Sequence, residues 1–306
     1  MLCRIIDTIE DDESLSLDQK RFFFQEFIKI INGEGSAKSF ADALYPLLSG
    51  KTLPAERELI GKTSAVIQKT LTFNSKQQAA IKRCAMTMAR GMLTFQEIKD
   101  PVGLKDLRDF HLYCYHVAGN VGEMLTELFC DYSPEISRDR ERLFPLAVSF
   151  GQGLQMTNIL KDFWEDRNHG ACWFPKDVFQ KVGYDLKNLS SGQYSNRFGQ
   201  GLGVLIGLAR LHLENALTYT LMISAREAGI RKFCLWAIGM AIFTLRKINK
   251  KRNYRGGEEV KVSRRTLKAI MLMTHITLRN NFLLKVLFHL TARGLPVFER
   301  KGGDWE

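Results

Sequence analysis

Two short acidic clusters in this chain share one pattern. Asp7, Glu10 and Asp11 near the start, and Asp162, Glu165 and Asp166 past the middle, both read D-x-x-E-D. With 33 acidic side chains in 306 residues, chance supplies about 0.04 such patterns per chain, so two copies point to shared chemistry. Residues three and four apart share a helix face, so each cluster presents a stripe of carboxylates. Asp12 and Glu13 extend the first cluster but point away from its stripe. A solvated charged face is the competing reading of the first cluster taken alone. Its flanks are Ile5, Ile6 and Ile9, however, and those of the second are Leu160, Phe163 and Trp164. Like charges one turn apart destabilise a helix by a few tenths of a kcal/mol per pair, a cost that a bound cation removes.

Carboxylate stripes on two helices can face each other across a cavity, as in metal-binding helix bundles. All-oxygen ligands select a hard cation. Mg2+ takes one or two carboxylates and completes its shell with water and phosphate oxygens. The chemistry implied is binding and ionising a diphosphate, with the metal neutralising the leaving group as its C–O bond breaks. A di-iron site would need E-x-x-H pairs. None of the six histidines lies three residues after a glutamate.

The elements that must carry these stripes read as helices almost throughout. Apolar residues recur at three and four over 17–31, 36–48, 105–129, 138–165, 196–227, 230–250, 263–279 and 280–292. Two further helical stretches, ERELIGKTSAVIQKTL and SKQQAAIKRCAMTMARGMLTFQEI, are separated near Phe73-Asn74-Ser75. There is no alternating strand pattern, no βαβ rhythm, no repeat and no linker. The expectation is one all-α domain over 1–306.

Composition narrows the class. Hydrophobic residues make up 45% and prolines number only seven, which excludes a disordered chain. The six scattered cysteines have no CxxC spacing and read as buried thiols in a reducing compartment. The acidic N-terminus does not read as a signal peptide. The most apolar run, Phe233–Leu245, is shorter than a bilayer span and reads as a buried helix. A net charge of +11 admits nucleic acid, anionic lipid or phosphorylated substrates as partners. No nucleic-acid module is present, so nucleic acid is set aside. A monomer is the expectation.

Several segments, in order along the chain, resemble the squalene/phytoene synthase family, and squalene synthases in particular. They are RIIDTIEDD (4–12), YCYHVAGNVGEML (113–125), LQMTNILKDFWED (154–166), GACWFP (170–175), FCLWAIGMAIFTL (233–245) and EVKVSRR (259–265). The resemblance implies an all-α isoprenoid-synthase-like bundle around a central cavity. It implies head-to-head condensation of two farnesyl diphosphates through presqualene diphosphate to squalene, with Mg2+ and with NADPH as reductant. Carried over residue by residue, Asp7, Glu10, Asp11, Asp162, Glu165 and Asp166 would hold Mg2+. Tyr113 would assist proton removal, and the ring of Phe233 would stabilise carbocations. Arg4, Gln155, Asn158 and Lys161 would support diphosphate or metal, while Lys261 and Arg264 would lie near the cofactor. Lys161 stands where arginine is usual and lacks its fork of donors. Ala118, Gly119 and Gly122 would either admit a prenyl chain or allow close helix packing. No GxGxxG occurs, so NADPH would not bind in a Rossmann manner.

The likeness departs at the ends. Family members carry a helix before the first acidic motif, and the eukaryotic enzymes a C-terminal membrane anchor. Here Asp7 is nearly terminal and the chain ends in a polar run, which reads as a downstream start or a truncation. The expectation is a cytoplasmic enzyme with peripheral contact at the membrane. The rival readings are non-reductive formation of dehydrosqualene, phytoene or hydroxysqualene, and a non-catalytic assembly factor of the same fold. Terpene cyclases are disfavoured because DDxxD is absent.

Overall fold

The computed structural model describes residues 1–189 and 194–298. The final polar residues, 299–306, lie outside that range. No strand occurs among the described residues, and the chain divides into two compact all-helical units.

The first unit is Met1–Ile98 together with Glu123–Tyr132. It contains α1 (Leu2–Asp11), α2 (Leu17–Asn32), α3 (Ala37–Leu44), α4 (Pro54–Gly61), α5 (Thr63–Leu71) and α6 (Ser75–Glu97). Local chemistry sets these boundaries. Ser16 with Gln19, and Asn74 with Gln77, form reciprocal caps that start α2 and α6. Gly33 ends α2 in the left-handed region at φ 83. The stretch ERELIGKTSAVIQKTL, expected as one helix, breaks at Lys62 into α4 and α5. Ile5, Ile6 and Ile9 of α1 are fully buried with Phe24 and Phe27 of α2. Asp12, just past α1, accepts bonds from the Ser49 N–H at 2.9 Å and the Thr52 hydroxyl at 2.6 Å. Burial opposes its ionisation, but these bonds and those from Ser14 outweigh it and hold the carboxyl below its usual range.

The second unit is Lys99–Gly122 with Ser133 onward. It holds α7 (Leu107–Cys114), a π-helical turn (Tyr115–Gly119) and the start of α8 (Asn120–Tyr132). It continues with α9 (Pro134–Arg138), α10 (Arg140–Asn168), α11 (Lys176–Lys181), α12 (Asn196–Met222), α13 (Ala228–Lys250), α14 (Gly257–Val260), α15 (Arg264–Thr277) and α16 (Asn281–Ala292). The long α10 packs against α12, α13 and the π turn. The helix expected over 105–129 is thus interrupted by the π turn, where Asn120 Nδ2 donates to the His116 carbonyl at 2.8 Å.

Glycines on both sides bring the π turn and α10 together. A Cβ on Gly122 would stand 2.1 Å from the Ala147 carbonyl oxygen, and one on Gly151 would stand 2.1 Å from that of Ala118. Gly122 therefore serves close helix packing, and a Cβ on Gly119 would press on Tyr115 and Val148. Gly103, at φ 120, lets the backbone pass beneath the GACWFP loop, where the Leu104 N–H donates to the Phe174 carbonyl at 2.9 Å. All six cysteines are free thiols, four of them buried.

The apolar run Phe233–Leu245 lies within a 23-residue helix, α13, close to the 230–250 expected. Among the described residues it is the one helix long and apolar enough to cross a membrane, which corrects the expectation that this segment is too short. Its inward face, with Cys234, Ile238, Ile242 and Leu245, is buried in the second unit.

Gly122→Ala should destabilise the protein by about 2 kcal/mol through overpacking against α10. A thermal melt checks this, and an unchanged midpoint would contradict the close helix approach.

Candidate active site

The first acidic motif lies on α1, in the first unit. Its three carboxylates do not share one environment. Asp11 is exposed, Asp7 is half-buried, and Glu10 is turned inward and only 9% exposed. Gln96 of α6 donates to Glu10 Oε1 at 3.0 Å, and the Lys20 ammonium donates to the Glu10 carbonyl. Arg4 lies 3.6 Å from Asp7 and 3.7 Å from Glu56 of α4. Burial pushes Asp7 up to about 7, although Arg4 opposes the shift, and Asp11 and Glu56 add like-charge repulsion. Burial, with repulsion from Asp11, pushes Glu10 up to about 8.

The second motif lies on α10, in the second unit. Phe163 and Trp164 turn into the core, where Phe163 stacks on Phe174 of the GACWFP loop at 4.2 Å. Helical spacing then places Asp162, Glu165 and Asp166 on the other side, all half-buried. Lys161 pairs with Asp162 at 3.0 Å. Burial raises the Asp162 carboxyl despite that pairing. Asn158 and Gln155 continue the same stripe, exposed and half-buried respectively.

A segment that sequence reading did not single out lies over this motif. The Gly257 N–H donates to Glu165 Oε1 at 2.7 Å. A Cβ on Gly257 would stand 2.8 Å from Asp162 Oδ1, so only glycine fits there without displacing the carboxylate. Tyr254 ties the segment down: its hydroxyl donates to the Leu160 carbonyl, and its own carbonyl accepts from Trp164 Nε1 at 2.6 Å. The paired glycines of NYRGGEEV were the available signal.

Glu165 Oε2 is buried with no hydrogen-bond partner among the described residues. An orphaned carboxylate oxygen beside Asp162, whose carboxyl burial already raises, suits a hard cation. Among the described residues no group of three or more Asp, Glu, His or Cys side chains is placed to hold a metal ion.

The remaining expected site residues are dispersed. Tyr113 is buried and stacks on Trp173 at 4.1 Å. Phe233 is 54% exposed, so its ring lacks the dry enclosure in which cation–π attraction is strongest. Lys261 is exposed and pairs with Glu258 at 2.7 Å, and its carbonyl accepts from the Lys247 ammonium. Arg264 is exposed in the first turn of α15, after the Ser263 cap. Next to this segment, Phe243, Arg246, Lys247, Lys250, Val262 and Thr266 line a cleft. Three cations and an aromatic ring there can receive an anionic ligand. Lys247 and Lys250 belong to the basic run KINKKRNYR (247–255) that reads as a contact for anionic partners; Arg246 and the convergence of this run with 262–266 are tertiary findings.

The squalene/phytoene synthase family profile matches residues 1–266, and the chain belongs to that family. It is 29% identical over 250 residues to a squalene synthase of Cochliobolus lunatus, covering 80% of this chain and 57% of that protein. The chain thus spans about half the length of the curated relatives it matches. Its fold is similar to that of TcSQS solved with a ligand, with TM-score 0.70 and 21% identity over 95% of this chain and 80% of the other. It is also similar to a dehydrosqualene synthase solved with a ligand, with TM-score 0.62 and 19% identity over 91% and 84% of the two chains.

The raised carboxyls make stability pH-dependent. Asp7 and Glu10 titrate near pH 4 when unfolded and at about 7 and about 8 in the fold. The native state therefore holds more protons across that window, and metal-free protein loses stability as pH rises through it. Glu10→Gln should lessen this loss. Denaturation midpoints should favour the variant more at about pH 8 than at about pH 5. A pH-independent difference would mean that Glu10 is not raised.

Proposed function

We propose that this chain is a Mg2+-dependent prenyl transferase that joins two farnesyl diphosphates head to head through presqualene diphosphate to squalene. Family membership supports the reaction class. The observation that carries the reading is the second motif, where Glu165 keeps a buried, unpartnered carboxylate oxygen beside Asp162. In this reading the chain is one catalytic domain over 1–306, and each acidic stripe binds metal. Mg2+ bound there would neutralise the diphosphate leaving group.

This chain's residues then divide the work. Asp7, Glu10, Asp11, Asp162, Glu165 and Asp166 hold metal and exclude alternative cations by their all-oxygen donor set. Arg4 and Lys161, each beside an acidic residue, bind the diphosphate oxygens. Gln155 and Asn158 position water on the α10 stripe. Tyr113, held by its stack on Trp173, assists proton removal as the ring closes. Phe233 serves as carbocation stabiliser if ligand binding encloses it. Lys261 and Arg264, with the cleft cations Arg246, Lys247 and Lys250, hold the phosphates of NADPH, which supplies hydride for reduction. We place the protein in the cytoplasm, as a monomer with peripheral contact at the membrane.

A non-reductive product is the second reading. The exposed, already paired state of Lys261 favours it, as does the likeness to a dehydrosqualene synthase.

Incubation with farnesyl diphosphate and Mg2+, with and without NADPH, followed by mass spectrometry of extracted lipids, tests both. Squalene is expected only with NADPH. Dehydrosqualene or hydroxysqualene regardless of NADPH would replace the product and keep the ionisation chemistry. Asp7→Asn and Asp162→Asn should each lower turnover by roughly a hundredfold or more. Turnover retained in either variant would defeat the two-stripe reading.

A further inference from the structure

The last two helices of the second unit break the rule of apolar inside and polar outside. α15 buries Ile270, Thr274 and Thr277, and α16 buries Leu284, Phe288 and Ala292. Both pack on α13 and on each other. Yet on their outer surfaces Leu272 is 60% exposed, Ile276 65%, Phe282 72% and Leu290 58%. Large apolar side chains grouped on adjacent helices mark an interaction surface.

Charge identifies the partner. From Val260 to Phe298 the chain contains no aspartate or glutamate, while Arg264, Arg265, Lys268, Arg279, Lys285 and Arg293 are all exposed. On α15, Arg265, Lys268, Leu272, Ile276 and Arg279 follow one another at three- and four-residue steps. Cations therefore bracket the apolar residues along a single stripe. Long basic side chains can lay their stems on an apolar layer and keep their charges at its edge. A second copy of this chain would bring an equally cationic, carboxylate-free face against the first, which like-charge repulsion opposes.

We propose that the α15–α16 face is a docking surface for an anionic lipid bilayer, with Leu272, Ile276, Phe282 and Leu290 entering the interface and the flanking cations meeting acidic headgroups. This deepens the peripheral-contact part of the proposed function and does not depend on turnover.

The test is sedimentation of the full chain with phosphatidylcholine vesicles, with and without phosphatidylserine. Binding is expected to vesicles containing phosphatidylserine and to weaken as salt is raised. Arg265→Gln/Lys268→Gln should weaken partitioning by roughly 30-fold. Ile276→Ser/Phe282→Ser should weaken it by about tenfold or more. Both double variants change exposed side chains, so turnover of soluble substrate should be unchanged. No vesicle binding, or binding that neither double variant weakens, would overturn the proposal. So would a wild-type dimer that Ile276→Ser/Phe282→Ser converts to monomer, or binding to RNA in place of vesicles.

Discussion

The constraint on which the rest of this molecule depends is the retention of carboxylates at the margins of apolar helices. α1 carries Glu10 beside three fully buried isoleucines, and α10 carries Asp162 and Glu165 beside buried Phe163 and Trp164. Burial drives Asp7, Glu10 and Asp162 towards neutrality. Specific partners oppose this: Gln96 on Glu10, Arg4 beside Asp7 and Lys161 on Asp162, while the Gly257 N–H bonds Glu165. The compensation is incomplete, because Asp7, Glu10 and Asp162 all remain raised. Groups under that strain gain most from a cation, which stabilises the ionised form directly. The same incompleteness ties stability to pH.

Backbone packing then determines where those acids sit. Gly122 lets the start of α8, and Gly151 the π turn, approach closely at α10, and Gly257 lets the start of α14 lie on the acidic stripe. Tyr254 fastens that segment through its hydroxyl and its carbonyl. None of these groups is a chemical actor by residue type. Each sets the position of one that is.

Much of the fold was legible in the chain. Amphipathic periodicity and the break near Phe73-Asn74-Ser75 located the helices, and the absence of strand patterning indicated an all-α fold. The boundaries that failed have local causes. One predicted helix divides at Lys62, and another contains the π turn at Tyr115–Gly119. A break inside a continuous amphipathic pattern leaves the period unchanged, so periodicity does not reveal it. Of the candidate site, the acidic motifs were readable because their spacing repeats. The Gly257 cover, the Gln96 contact and the convergence of the basic run at 247–250 with 262–266 were not, because each joins residues distant in sequence.

The sequence by itself determined the helical class, the family and the identity of the carboxylates, since periodicity, motif order and residue chemistry are properties of the chain alone. Only the tertiary structure decided that Glu10 faces inward to Gln96, that Glu165 keeps one oxygen without a partner, and that Phe233 lies exposed. Burial and hydrogen-bond satisfaction depend on what distant segments bring to a side chain. A helical face specifies a direction, and packing specifies what that direction meets.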